Sequence, residues 1–416
     1  MRCRWLCAVA LATVTSAATA QQDPQSELEQ LKRRVEQLEK QQAPARTTGA
    51  NAGTNAFNPD VSVILQGTAA RSSQNPDDHQ ITGFAPTGGD VSPPRRGFSL
   101  GESELVIASN IDPYFRGQLV AALTPDDTVE VEEAFFQTLA LGKGFTLKGG
   151  RFLSSIGYQN GIHQHAWDFQ DAPLPYKAFL GGRLDDDAVQ LKWVAPTDLL
   201  VELGAEAGRG RAFPATDPSR NGAGLWTLYG HVGGDIGEST AWRAGLSYLH
   251  ASPTERPMDV GATFTGTSSL WIADFIAKWA PNGNASVTNL KVQGEYFRRN
   301  ENGDLTFAGT PGGYDSRQSG WYAQTVYQFM PRWRVGYRYD RLSHGIVSSS
   351  LSAAQLPLLL TDYNPSRNTL MVDWTLSEFS RFRLQVAADK SRAGITDNQV
   401  LLQYVLSLGA HGAHTF

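Results

Sequence analysis

Residues 332–340 read RWRVGYRYD, and their alternation decides the fold. Arg332, Arg334, Gly336, Arg338 and Asp340 share one face of an extended chain, while Trp333, Val335, Tyr337 and Tyr339 share the other. RFRLQVAAD (381–389) repeats the arrangement, with Arg381, Arg383, Gln385 and Asp389 opposite Phe382, Leu384, Val386 and Ala388. In LKVQGEYFR (290–298), Lys291, Gln293 and Glu295 oppose Leu290, Val292 and Tyr296. A strand with ionised groups along one face and aromatics along the other needs water on the first side and an apolar medium on the second.

Working outward, sixteen such segments fall near 61–72, 97–110, 114–124, 129–141, 145–154, 187–195, 199–208, 224–234, 240–250, 268–280, 286–298, 318–329, 332–342, 367–377, 380–390 and 396–416. Short turns follow the even-numbered segments, whereas the odd ones are mostly followed by long connectors, about 73–96, 155–186, 209–223, 251–267, 299–317 and 343–366. Such asymmetry predicts an all-β fold, a 16-stranded antiparallel transmembrane β-barrel with both termini on the short-turn, periplasmic side. Trp193, Trp226, Trp242, Trp271, Trp279, Trp333 and Trp374 recur near segment ends on the apolar face, as interfacial girdles would. A soluble β-sandwich also alternates, so the period by itself fits both.

Composition narrows the classes further. Charged residues make up 19% of the 416 positions, and no 18-residue apolar run lies beyond the N-terminus, which excludes a bundle of transmembrane helices. The only cysteines are Cys3 and Cys7, so the rest of the chain forms neither a disulfide nor a thiolate metal site.

Arg2 and Arg4 precede an apolar stretch over 5–14, and Ala18-Thr19-Ala20 is a small-x-small cleavage pattern ending at Ala20. Residues 1–20 therefore read as a signal peptide directing export. Their removal takes two arginines and no acids, moving the formal charge from -5 to -7, and this acidic chain offers no basic surface for nucleic acid. Within 21–40, Leu28, Leu31, Val35 and Leu38 form a short heptad seam, predicting a periplasmic coiled-coil helix that self-associates. Residues 41–57 read as a linker, and 58–416 as the barrel.

The layout of signal, heptads, linker, alternating strands and terminal Phe416 resembles trimeric outer-membrane porins with an N-terminal coiled coil, of the DcaP-like and phosphate-selective type. The resemblance implies a homotrimer in outer-membrane lipid, recognition of Phe416 by the barrel-assembly machinery, and passage of small hydrophilic solutes. GFSLGESEL (97–105), VEVEEAFFQTLAL (129–141) and GGRFLSSIGYQNGIHQHAWDF (149–169) are also similar to roughly 400-residue proteins described as zinc-regulated or TonB-dependent outer-membrane receptors. That second likeness implies metal or nutrient uptake, yet a 22-stranded barrel closed around a plug is more than the ~360 residues after the linker can supply. A structural or adhesive barrel is a third reading.

Porin selectivity comes from charges that line the lumen. The candidates are Arg332, Arg334, Arg338, Arg381, Arg383, Lys291, Glu295 and Asp340, either a basic ladder facing acids that would favour anions or charges that simply hydrate a large lumen and pair with one another. The longest connector, 155–186, carries Trp167, Asp168, Asp171, Lys177 and Arg183, and its position as the third long loop predicts that it folds inward to narrow the pore. His163 and His165 are a candidate zinc pair, with Asp168 and Asp171 nearby, although a closed site needs three or four ligands. No cofactor motif is evident, and neither Ser247 with His250 nor Ser343 with His344 comes with a third group or an oxyanion donor, so no enzyme is predicted.

Overall fold

A computed structural model of the protein describes residues 59–86, 91–125, 127–216, 221–258 and 260–409. The signal segment with Ala20, the helix over 21–40, the linker over 41–57 and Phe416 lie outside the described residues.

The strands are β1 (Asp60–Ser72), β2 (Gly97–Leu100 and Ser103–Asn110, one strand across a bulge), β3 (Phe115–Leu123), β4 (Val129–Thr138), β5 (Phe145–Leu153), β6 (Asp185–Val194), β7 (Leu200–Gly208) and β8 (Leu225–Ile236). They continue as β9 (Thr240–Ala251), β10 (Ala262–Trp279), β11 (Asn289–Phe307), β12 (Thr310–Met330), β13 (Trp333–Ser349), β14 (Ser366–Ser377), β15 (Ser380–Lys390) and β16 (Asp397–Gly409). Each pairs antiparallel with its neighbours in sequence. β16 returns to β1, from Ser62 opposite Gly409 to Ser72 opposite Gln399, so the sixteen-stranded sheet closes and leaves no edge.

Strand β10 shows how the sequence produces this barrel. Leu270, Ile272, Asp274 and Ile276 are buried inside, while Trp271, Phe275 and Trp279 are exposed on the outside. Exposed apolar side chains continue around the wall, for example Leu370 and Val372 on β14 and Val400 and Leu402 on β16. An apolar outer surface is stable only against lipid. Aromatic rings bound this band at two levels. Trp333, Trp374, Phe382 and Tyr404 stack in series near the short turns, with centroids 5.8, 6.1 and 4.5 Å apart. Trp226, Tyr248 and Trp271 form the opposite level, at 5.3 and 4.7 Å. Trp271 and Trp279 lie on one strand, eight residues apart, or about 26 Å along it and about 20 Å along the barrel axis after a tilt of ~40°.

Two sequence expectations change. Connector 299–317 is not a loop: β11 and β12 continue through it to a two-residue hairpin at Ala308 and Gly309, both with positive φ. Arg332 does not line the strand wall but sits exposed in the Pro331-Arg332 turn, at φ +71°.

Candidate functional site

The connector 154–184 between β5 and β6 folds into the barrel. Its centre is a two-turn helix, α1 (Leu174–Leu180), which Pro175 opens and Gly181 ends at φ +68°, the Gly181 N–H returning to the Tyr176 carbonyl. Every residue of α1 is buried. Tyr176 and Phe179 pack on the inward-facing Phe297 of β11 at 5.0 and 6.1 Å, and Phe84, from the connector after β1, meets Phe179 at 5.7 Å. Leu249, Leu270, Ile272 and Leu342 complete this cluster, so part of the lumen holds a hydrophobic core. Those apolar residues occupy inward parity within otherwise polar faces. The alternation carries that signal, masked by the charges that share the same faces.

The loop enters through hydrogen bonds to carboxylates on the wall. Ser154 Oγ donates to Glu206 at 2.5 Å and the Ser155 N–H at 2.9 Å. Glu295, a sequence candidate for the pore lining, is instead buried as a loop anchor. It accepts the N–H groups of Tyr158 and Gln159 at 3.2 and 2.9 Å, and the hydroxyls of Tyr176 and Tyr322 at 2.9 and 2.6 Å.

From this anchor on, the loop meets the basic ladder. Arg381 donates to the His165 carbonyl at 2.7 Å, and Arg383 donates to the Trp167 carbonyl at 2.8 Å. Asp168 pairs with Lys291 and with Arg334, and Asp171 pairs with Arg338 and Arg367. Asp340 is buried against Arg338 at 3.1 Å, and Lys177 is buried 3.8 Å from Asp171. The ladder and the acidic loop, two separate candidates in the sequence, are thus two halves of one interface. The guanidinium groups of Arg338, Arg367, Arg381 and Arg383 are buried and require fixed acceptors, which the loop carboxylates and carbonyls provide.

Partly exposed cations, two of them (Lys291 and Arg334) also members of this zipper, line the short-turn end of the lumen. Lys148, Lys192, Arg243, Lys278, Lys291 and Arg334 each lie within three residues of that end of their strands. Their side chains keep partial exposure, 32% for Lys192, 25% for Arg243, 20% for Lys291 and 23% for Arg334, while the acids they face are less exposed, 18% for Glu202 and 0 to 5% for Asp274, Asp168 and Asp373. Water in the lumen therefore meets the positive member of these pairs.

His163 and His165 lie on the other wall, their rings 5.7 Å apart. Asp168 and Asp171 point away from them, and the carboxylates that surround them are Glu104 of β2 and Glu132 and Glu133 of β4. Two bulges explain this gathering. Between Gly67–Leu100 and Ile64–Glu104 the ladder with β1 gains one residue on β2, and between Val120–Glu133 and Ala121–Val131 it gains Glu132 on β4. The second bulge turns two consecutive glutamates inward, which strict alternation forbids. Burial would lower the pKa of His163, but its hydrogen bonds to Glu132 and Glu133 and the charge of Glu104 raise it to about 10. Arg183 holds the far side of the group, 3.1 Å from Glu102 and 2.6 Å from Glu132. Ser247 does not meet His250 but accepts the Gly157 N–H at 3.0 Å, and His344 bonds the Leu359 carbonyl.

No family model matches the sequence. A protein of Aquifex aeolicus (strain VF5), described only as uncharacterized, is 31% identical over 346 residues, which are 77% of this chain and 71% of that protein. Among solved structures, OprB of Pseudomonas putida aligns with a TM-score of 0.52 at 11% identity, over 84% of this chain and 94% of that one. The outer membrane channel DcaP of Acinetobacter baumannii aligns at 0.50 with 12% identity, over 84% and 97%, and an anion-selective porin from Comamonas acidovorans at 0.50 with 11%, over 84% and 99%. These likenesses establish the outer-membrane porin fold.

Proposed function

The chain belongs to one family with the Aquifex aeolicus protein and has the closed sixteen-stranded barrel of outer-membrane porins, and from that premise we propose that it is a passive outer-membrane porin for small hydrophilic solutes, with a preference for anions. The observation that carries the preference is the ring of half-exposed cations at the short-turn end, whose acidic partners are buried. An ion in water beside them meets net positive charge, and pore-lining charge of one sign selects the other. Loop 154–184 sets the narrowest section by crossing the lumen between anchors on several strands.

The unit of function is a homotrimer, as the trimer form of OmpT from Vibrio cholerae illustrates for a related fold. In this reading residues 1–20 direct export, 21–40 form a periplasmic coiled coil, 41–57 link it to the barrel, and Phe416 serves assembly. The chemistry asked of the protein is transport, with no catalytic step. An energised receptor is disfavoured, because the described residues form one sixteen-stranded barrel and no separate plug domain is found among them.

Planar-bilayer recording tests the proposal. Under a potassium chloride gradient the wild type should give ohmic channels whose reversal potential marks an anion-to-cation permeability ratio above one. A ratio below one removes the preference, and the absence of channels removes the porin.

A further inference from the structure

The carboxylates around His163 have a geometry that neither the porin reading nor the anion preference uses. Three ligand atoms, one each from Glu104, Glu132 and His163, lie within 4.8 Å of one another. His163 Nδ1 is 3.2 Å from Glu132 Oε2 and 3.6 Å from Glu104 Oε2. A tetrahedral ion with bonds of ~2.1 Å spaces its ligand atoms about 3.4 Å apart, so both separations match the edge of such a site.

A second observation points to a missing partner. Glu104 is 1% exposed, and its Oε2 has no hydrogen-bond partner although it faces into this group. Its other oxygen is 2.8 Å from His165 Nδ1, so the carboxylate is held with one lone-pair edge committed and the other open. Leaving a buried carboxylate oxygen unsatisfied is costly, and a cation supplies what the protein does not.

The surroundings also suit a metal, which would take the place of the proton that the carboxylates hold on His163 Nδ1. His163 Nε2 is 3.1 Å from Glu133 Oε2, so with Nδ1 turned to a metal the other nitrogen donates to a carboxylate, the arrangement that fixes the tautomer of a metal-bound histidine. Arg183 holds Glu132 by Oε1, 2.6 Å away, which leaves Oε2 for the ion. The His163 side chain keeps 19% exposure, so solvent reaches the site and can complete the coordination.

We propose that Glu104, Glu132 and His163 bind one divalent transition-metal ion, which fastens the inward-folded loop to strands β2 and β4 of the wall. One imidazole nitrogen among carboxylate oxygens suits zinc or manganese better than calcium, which takes oxygen ligands alone. Because two ligands come from the wall and one from the loop, the ion cross-links them. Occupancy then stiffens the constriction, whatever solute passes.

The test is calorimetric titration of zinc chloride into the detergent-solubilised full chain, with calcium chloride as the comparison. The expected result is one zinc per chain, bound more tightly than calcium. His163→Ala and Glu104→Gln should weaken it at least tenfold, Glu133→Gln about tenfold, and His344→Ala should leave it unchanged. Hydrogen exchange of the wild type gives a measurement independent of variant folding, and zinc should slow it across 158–167. Absence of zinc binding, full-strength binding by folded His163→Ala, or equal affinity for calcium overturns the proposal. Conductance of the same preparation tests the porin reading separately, since binding is measured without it.

Discussion

Arg338 holds Asp171 through two nitrogens, Nη2 reaching the carboxylate at 3.1 Å and Nη1 donating to the backbone carbonyl at 2.8 Å. One residue of the wall thereby fixes both the side chain and the main chain of the loop. Arg367 takes the other carboxylate oxygen, and Gln385 donates at 2.9 Å. Burial would push the Asp171 carboxyl up, but Arg367 and Arg338 hold it well below the usual carboxylate range.

Asp171→Asn should therefore free the constriction. Arg338 and Arg367 keep Asp340 and Asp389, but removing the carboxylate they share with the loop still breaks a buried ion-pair network, at up to about 3–5 kcal/mol. The expected outcome is a larger and noisier single-channel conductance in planar bilayers. An unchanged conductance would mean that loop 154–184 does not set the narrowest section.

At the Glu295 anchor, Gly157 and Glu295 constrain each other. Gly157 has φ +64°, and a Cβ there would come within 2.3 Å of Glu295 Oε2. Gly157→Ala should lower thermal stability by about 1–2 kcal/mol from the left-handed backbone alone. Glu295→Gln turns an acceptor of four hydrogen bonds into a group with one carbonyl and one donor, at about 1–3 kcal/mol. Faster hydrogen exchange at the Tyr158 and Gln159 amides should report the loss, and unaltered protection there would dismiss the anchor.

The cationic ring makes its own prediction. A unit charge contributes about 1 kcal/mol to an ion 4 Å away in water, so Lys278→Gln combined with Lys291→Gln should lower the anion-to-cation permeability ratio several-fold. Reversal potentials in a salt gradient measure it. Glutamate at both positions should invert the selectivity, and a ratio that does not move would place these side chains off the ion path.

His79, in the connector after β1, is lowered to about 4, first by burial and then by Lys177, with Arg367 and Arg392 adding to the effect and Asp389 opposing it. The folded value lies below the unfolded 6.5, so the unfolded form binds the proton more readily. The contribution of this contact is complete above pH 6.5 and declines as pH falls toward 4. Titration of the imidazole by NMR should give a midpoint near 4, whereas a midpoint near 6.5 would put the ring in water.

The positions at which the sequence misleads share a physical cause. Strands β11 and β12 continue past the lipid, where the outer face meets water, so Asn300, Asn302 and Asp304 read as a loop although they are paired. Glu132 and Glu133 both face inward because of a bulge, and a bulge breaks the period from which facing is inferred. The apolar cluster around α1 escapes because Leu270 and Ile272 share a face with Asp274, and a half-polar face averages to polar.

RWRVGYRYD and its repeats by themselves determined sixteen strands, their lipid and lumen faces and the end that carries short turns. These follow from a period of two and from turn chemistry, both local along the chain. Tertiary structure alone decided that the arginine ladder is matched by Asp168 and Asp171, that Glu295 receives the loop, and that Glu104 and Glu132 meet His163. The reason is distance along the chain. Asp171 and Arg338 are 167 residues apart, and only closure of the barrel and the return of the loop through it bring the two charges into contact.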